Sequence, residues 1–196
     1  MSRTVRFLAL GEASLLVLGF LWAWLRALPV HHRFDLEALG QAVAVAAAFS
    51  IGNLALYHFS KRLGYPSAVH AFFEQEVLPL LRHIRLLELV LLVLVVGAGE
   101  ELFFRGVLQE EIGLLAASIL FGVLHGPSRP LWPLAIWATL MGILFGILYQ
   151  ATENLVVPML AHAIYDGVAI CYLRVTNPKV EREPRMNVNK KRLDAH

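Results

Sequence analysis

The chain has 196 residues, 58% of them hydrophobic and only 16% charged, with a formal net charge of +2 and a mean hydropathy of +0.62. One domain's length with so little charge excludes an ordinary soluble globule and points to an integral membrane protein whose outer surface, as well as its core, is apolar. The single cysteine, Cys171, leaves no disulfide framework and no cysteine cluster for structural zinc.

Phe7 to Leu28 is apolar apart from Glu12 and Arg26 and predicts a first span. Arg3 and Arg6 precede it as in a signal peptide, yet no small-residue cleavage site follows cleanly. Ala38 to Phe59, rich in alanine and valine and closed by Lys61 and Arg62, predicts a second span. From Pro66 to Arg85 apolar residues mix with Glu74, Glu76, Arg82 and His83, the pattern of a helix lying along the interface. Leu86 to Glu111 reads as one long helix that carries Glu100, Glu101 and Arg105 in its second half, and Gly113 permits a tight turn after it. Leu114 to His125 is a shorter apolar helix stopped by Gly126 and Pro127. Trp132 to Gln150 carries Gly142 and Gly146 one turn apart, suited to close helix packing, and Leu155 to Leu173 is the last span. The expected fold is all-α: a polytopic transmembrane bundle of about six spans plus an interfacial helix. Its membrane-embedded domain is expected at 1–173, with the chemistry-bearing core at 86–173, followed by a basic, disordered tail at 174–196.

That tail holds seven basic residues against Glu181, Glu183 and Asp194, so it is +4 and the remainder is −2. Following an apolar helix, it suits the anionic cytoplasmic leaflet better than nucleic acid, and no nucleic-acid partner is expected. With the amino terminus in the cytoplasm, Arg3, Arg6, Lys61, Arg62, Arg82, Arg85, Arg129 and the tail fall inside, leaving only Arg26 and Arg33 outside. The bias predicts that both termini are cytoplasmic. The short chain without an organelle signal leads to the expectation of a prokaryotic plasma membrane.

An ionisable side chain in a membrane helix costs a few kcal/mol on insertion scales, about 2.5–3.5 at the helix centre, and so demands a reason. Glu12 and Arg26 are expected to snorkel to the interface. The others are Glu100, Glu101, Arg105, His125, His162 and Asp166. Three pairs stand four residues apart on one helix face: Glu101 with Arg105, Phe121 with His125, and His162 with Asp166. Glu100 lies about 100° around the helix from Glu101, so one carboxylate can be structural while the other works.

If the chain turns back at Gly113, Glu100 and His125 both lie roughly 18–20 Å from that turn, and His162 and Asp166 fall roughly 12–18 Å into the last span from the same side. All four then share one level in the bilayer. A carboxylate and two imidazoles there make a water-activating centre for peptide hydrolysis: Glu100 takes a proton from water, His125 holds or shares it, and His162 stabilises the oxyanion.

At these residues the sequence resembles the CPBP (Abi) family of intramembrane proteases, which includes CAAX prenyl endopeptidases and bacteriocin-processing enzymes. The family's EExxxR, FxxxH and HxxxN appear here as Glu100-Glu101-Leu-Phe-Phe-Arg105, Phe121-Gly-Val-Leu-His125 and His162-Ala-Ile-Tyr-Asp166. The resemblance covers roughly residues 86–173, in a chain smaller than the usual eight-helix members. It implies Glu100 as catalytic glutamate, Glu101 as its arginine-paired neighbour, His125 as water activator and His162 on the oxyanion side. Asp166 replaces the commoner asparagine; it must be protonated to donate, or else serve to orient His162. Both a metal-free glutamate mechanism and a zinc site built from His125, His162 and Glu100 are compatible with the resemblance. No cofactor is expected, because there is no HExxH helix. Expected partners are the bilayer and membrane peptides or proteins such as prenylated C-terminal peptides, leader peptides or sorting tails.

Blander readings stand beside these. Glu101 with Arg105 suits a structural ion pair, a membrane histidine such as His125 often bonds one helix to another, and Phe103, Phe104 and Phe121 are ordinary packing residues. His31, His32, His58, His70, His83 and His196 are assigned no chemistry. A GxSG serine motif is absent, and Gly97-Ala-Gly99-Glu100 only imitates the aspartyl GxGD element. A small proton-coupled transporter or channel, or a catalytically silent membrane scaffold, are the alternative functions.

Overall fold

The computed structural model describes residues 3–62, 71–82 and 84–177. The tail beyond Asn177, together with His70, His83 and His196, lies outside the described residues. The described chain is all-helical: α1 (Arg3–Arg26), α2 (Leu36–Arg62), a π-helical turn (Phe73–Val77) leading into α3 (Leu78–Leu81), α4 (Leu86–Glu101), a π-helical stretch (Leu102–Leu108) leading into α5 (Gln109–Ile112), α6 (Leu114–His125), α7 (Trp132–Thr152) and α8 (Val156–Thr176). The expected long helix from Leu86 to Glu111 is thus one continuous rod with a wide π-turned middle.

Among the described residues, four helices are long and apolar enough to cross a membrane: Val5–Arg26, Leu36–Phe59, Arg129–Thr152 and Val156–Thr176. Their outward faces are apolar, with Phe7, Phe20, Trp24, Ile51, Ile136 and Val168 all exposed, as lipid contact requires. The protein is an integral membrane protein. The expected fourth span needs correction, because Leu114–His125 has 12 residues and is only about 18 Å long, against a hydrocarbon core of about 30 Å. Gly126 and Pro127 stop it at that depth, which leaves His125 at a helix end within the bilayer thickness, the level that the count from Gly113 predicts.

The two ends of the bundle are tied separately. At one end Arg26 Nε donates to Glu111 Oε1 at 2.8 Å. Asn154 clamps the α1–α2 connection to the start of α8, its Oδ1 accepting from Arg33 N at 2.8 Å and its Nδ2 donating to Arg33 O at 2.7 Å. At the other end Arg174 donates to the Leu81 carbonyl, and Val5 is buried with Leu81, Ile84 and Leu89. The start of α1, the helix α3, the start of α4 and the end of α8 therefore share one side, as the alternating spans predict.

Local sequence explains the packing. Asp35 caps α2, its Oδ1 accepting the Ala38 N–H at 2.8 Å. Ala38, Ala42 and Ala46 then form a buried stripe one turn apart, which brings α2 close to α8 and α7 around Met141, Phe145, Val157 and Ala161. Gly113 turns the chain at φ 85°, a left-handed value that favours glycine. The expected close packing at Gly142 is present: a Cβ there would stand 3.1 Å from the Ser118 Cβ of α6.

Candidate active site

Two glycines of α4 bring its neighbours into range of the acids that follow. A Cβ on Gly97 would lie 2.6 Å from the Met159 carbonyl of α8, and one on Gly99 would lie 2.8 Å from the Glu12 carbonyl of α1. Close backbone approach at these two positions seats His162 against Glu100 and Glu101, and places Glu12 at the same level.

The site residues converge. His125 Nε2 lies 3.8 Å from Glu100 Oε1, and His162 Nε2 lies 3.7 Å from Glu100 Oε2. Both separations exceed a direct hydrogen bond and are short enough for one water to rest against both partners. His125 Nδ1 is 2.8 Å from the Phe121 carbonyl. A carbonyl only accepts, so Nδ1 carries the proton, and in the neutral ring Nε2 presents its lone pair toward Glu100. The ring also lies against Phe121, with centroids 4.3 Å apart. The Phe121–His125 spacing thus serves both a hydrogen bond and a ring contact.

Glu101 does two jobs. Its Oε2 stands 3.1 Å from Arg105 Nε in an ion pair whose two side chains are 0% and 2% exposed. Its Oε1 accepts from His162 Nδ1 at 2.7 Å, a contact that spacing alone does not reveal. The two adjacent carboxylates diverge around the helix as expected, yet both end on one imidazole, Glu101 at Nδ1 and Glu100 facing Nε2. Asp166 Oδ2 is 3.6 Å from His162 Nε2, so Glu101 is the group that hydrogen-bonds and orients the ring. His162 is sandwiched on Phe145, with centroids 5.1 Å apart and planes 14° apart. Arg105 is held over Phe121 at 4.6 Å and Phe145 at 5.6 Å, and its Nη2 donates to the Gly142 carbonyl at 3.4 Å. One guanidinium therefore ties α4, α6 and α7 together behind the acids.

The centre opens on a cavity of about 970 Å³ whose lining includes Glu12, Glu100, Phe121, His125, His162 and Asp166 along with Trp137 and Tyr165. Trp137 Nε1 donates to the Tyr165 hydroxyl at 3.3 Å in that wall. Glu12 departs from expectation: it does not snorkel, its Oε2 being buried without a hydrogen-bond partner. The signal was its depth, since it lies about 14 Å from the start of α1 and about 21 Å from Arg26, too far to reach either end. Arg26 does lie at the helix end, 62% exposed and paired with Glu111. Phe145 carries no sequence signal that separates it from ordinary packing.

Zinc demands ligand atoms about 2.0–2.2 Å from one point. Among the described residues no three His, Cys, Asp or Glu side chains are arranged to hold a metal ion.

Comparison with known proteins bears on the same region. An 86-residue stretch is 44% identical to the uncharacterized protein YpbD of Bacillus subtilis (strain 168), covering 44% of this chain and 46% of that one. The chain thus aligns with less than half of that relative's length. No solved structure matches the chain. Residues 82–168, which include α4, α6 and the His162–Asp166 turn, match the family described as type II CAAX prenyl endopeptidase Rce1-like.

Proposed function

We propose that this protein is an intramembrane endopeptidase of glutamate type, hydrolysing peptide bonds of membrane-associated peptides or proteins with Glu100 and His125 as the water-activating pair. The observation that carries the reading is the 3.8 Å approach of His125 Nε2 to Glu100 Oε1. A carboxylate and an imidazole lone pair from two helices face each other across a gap of water size, at the edge of a cavity large enough for a peptide segment. The Rce1-like match over the same helices supports the same chemistry.

In this mechanism water resting between the two groups gives a proton to Glu100, and its oxygen attacks the scissile carbonyl carbon. The carbonyl π pair becomes the oxyanion. His162 serves the oxyanion side by donating from Nε2 while its Nδ1–H stays on Glu101, so it acts with both nitrogens protonated, its charge balanced by the neighbouring carboxylates. On collapse the C–N bond breaks and the leaving amine takes the proton from Glu100, relayed by His125. Water is the only nucleophile, so no acyl-enzyme forms. No step is assigned to a metal. The excess of basic residues at the end shared by Arg3, Arg82 and Arg174 supports an orientation with both termini cytoplasmic.

The test is a peptide-library cleavage assay on purified protein in detergent, comparing wild type with Glu100→Ala, His125→Ala and His162→Ala, each with and without a chelator. Cleavage is expected in wild type only and unchanged by the chelator. Retained cleavage in Glu100→Ala removes the base. Chelator-sensitive cleavage restored by zinc overturns the metal-free mechanism, and pH-coupled flux without cleavage favours a transporter.

A further inference from the structure

The cavity wall carries four carboxylic acids, Glu12, Glu74, Glu100 and Asp166, and among the described residues no lysine or arginine lines it. Two acid oxygens in that wall, Glu12 Oε2 and Glu100 Oε2, are buried without a hydrogen-bond partner, and Glu100 is only 9% exposed. Arg105, the buried cation nearest in sequence, pairs with Glu101 and donates to the Gly142 carbonyl, and it does not line this wall. Glu12 is held at the level of the site by the Gly99 contact and is within electrostatic reach of His162, Asp166 and Glu100. Most of the remaining lining is apolar, including Leu92, Val96 and Met141.

Carboxylates taken out of water are tolerated when a donor or cation replaces the lost hydration; here Glu12 Oε2 has no hydrogen-bond donor, and His162, the cationic group of this wall in the mechanism above, is already faced by Glu100, Glu101 and Asp166. An entering segment can supply the donor. We infer that Glu12, supported by Asp166, forms a cation-binding subsite that selects apolar membrane peptides carrying a lysine or arginine close to the scissile bond. The inference rests on the endopeptidase reading. Glu12 acts on the substrate side chain, apart from the water held between Glu100 and His125.

The test uses three internally quenched peptides identical except for lysine, norleucine or glutamate beside the cleaved bond. Norleucine keeps the lysine stem and lacks its charge. Wild type is expected to favour lysine over norleucine in kcat/KM by about tenfold or more, the scale of one buried charge-assisted hydrogen bond, and to favour glutamate least. In Glu12→Gln the lysine-to-norleucine ratio falls to near unity. Each ratio is taken on one preparation, so a partly misfolded variant does not disturb it. Binding of the same peptides, fluorescently labelled, to His125→Ala with and without Glu12→Gln gives a second readout that needs no turnover. Cleavage without a lysine preference overturns the subsite and leaves the endopeptidase standing. A lysine preference in binding that Glu12→Gln abolishes, with no cleavage by wild type, upholds the subsite and overturns the endopeptidase. A preference that survives Glu12→Gln overturns the role of Glu12.

Discussion

Replacing Arg105 with methionine probes the link between folding and the site. The guanidinium is 2% exposed and its partner carboxylate 0% exposed, 3.1 Å apart, so Arg105→Met leaves the Glu101 charge buried without its guanidinium partner. Breaking such a pair costs about 3–5 kcal/mol, a large part of the ~5–15 kcal/mol that holds a typical domain folded. Loss of the contacts with Phe121 and Phe145 adds to this, while the methionine stem retains part of the apolar packing. The double variant Glu101→Gln with Arg105→Met removes both charges and keeps an acceptor for His162 Nδ1. It is expected to lose less than the two single variants together by more than about 1 kcal/mol. Equilibrium unfolding in detergent micelles, followed by circular dichroism, measures all four corners of the cycle. An Arg105→Met loss below about 1 kcal/mol, or strictly additive variants, would refute the buried pair as the support of the site.

Gly97→Ala drives a methyl group against the Met159 carbonyl, 2.6 Å away, and is expected to cost about 1–3 kcal/mol and to lower kcat by moving His162; thermal unfolding and cleavage assays check the two effects. Phe145→Leu removes the ring stacked on His162 and is expected to cost about 1–3 kcal/mol, with a fall in kcat larger than any change in KM. Outside the spans, the hydrogen bond from Arg26 holds the Glu111 carboxyl below its usual range. A depressed carboxylate stabilises the fold above the ordinary carboxylate pKa and loses that contribution as pH falls through the folded value. Wild type and Glu111→Gln should therefore differ in melting temperature at neutral pH and converge in acid; a constant difference across pH contradicts the pair.

Much of the centre was legible because four-residue spacings are local geometry: Glu101 with Arg105, Phe121 with His125, and His162 with Asp166 each meet as the helix repeat requires. Counting rises from Gly113 also placed Glu100 and His125 at one depth, and their 3.8 Å approach agrees. Contacts between helices were not legible in this way. That Glu101 reaches His162 depends on how closely α8 approaches Gly97, and that Glu12 faces the cavity depends on the α1 contact at Gly99. The π-turned stretch Leu102–Leu108 has an apolar pattern indistinguishable from an α-helix. The short length of α6 was legible from Gly126-Pro127, which stop it at His125.

The central claim is that one water, held between Glu100 and His125, cuts the peptide. Cleavage in water enriched in heavy oxygen, with wild type and Glu100→Gln at matched folded concentration, tests it most directly. The account predicts one heavy-oxygen atom in the new carboxyl group under single-turnover conditions, no covalent adduct on the protein, and loss of at least about a thousandfold in kcat for Glu100→Gln. A peptide-bound enzyme intermediate by mass spectrometry, or Glu100→Gln turning over at the wild-type rate, would contradict it.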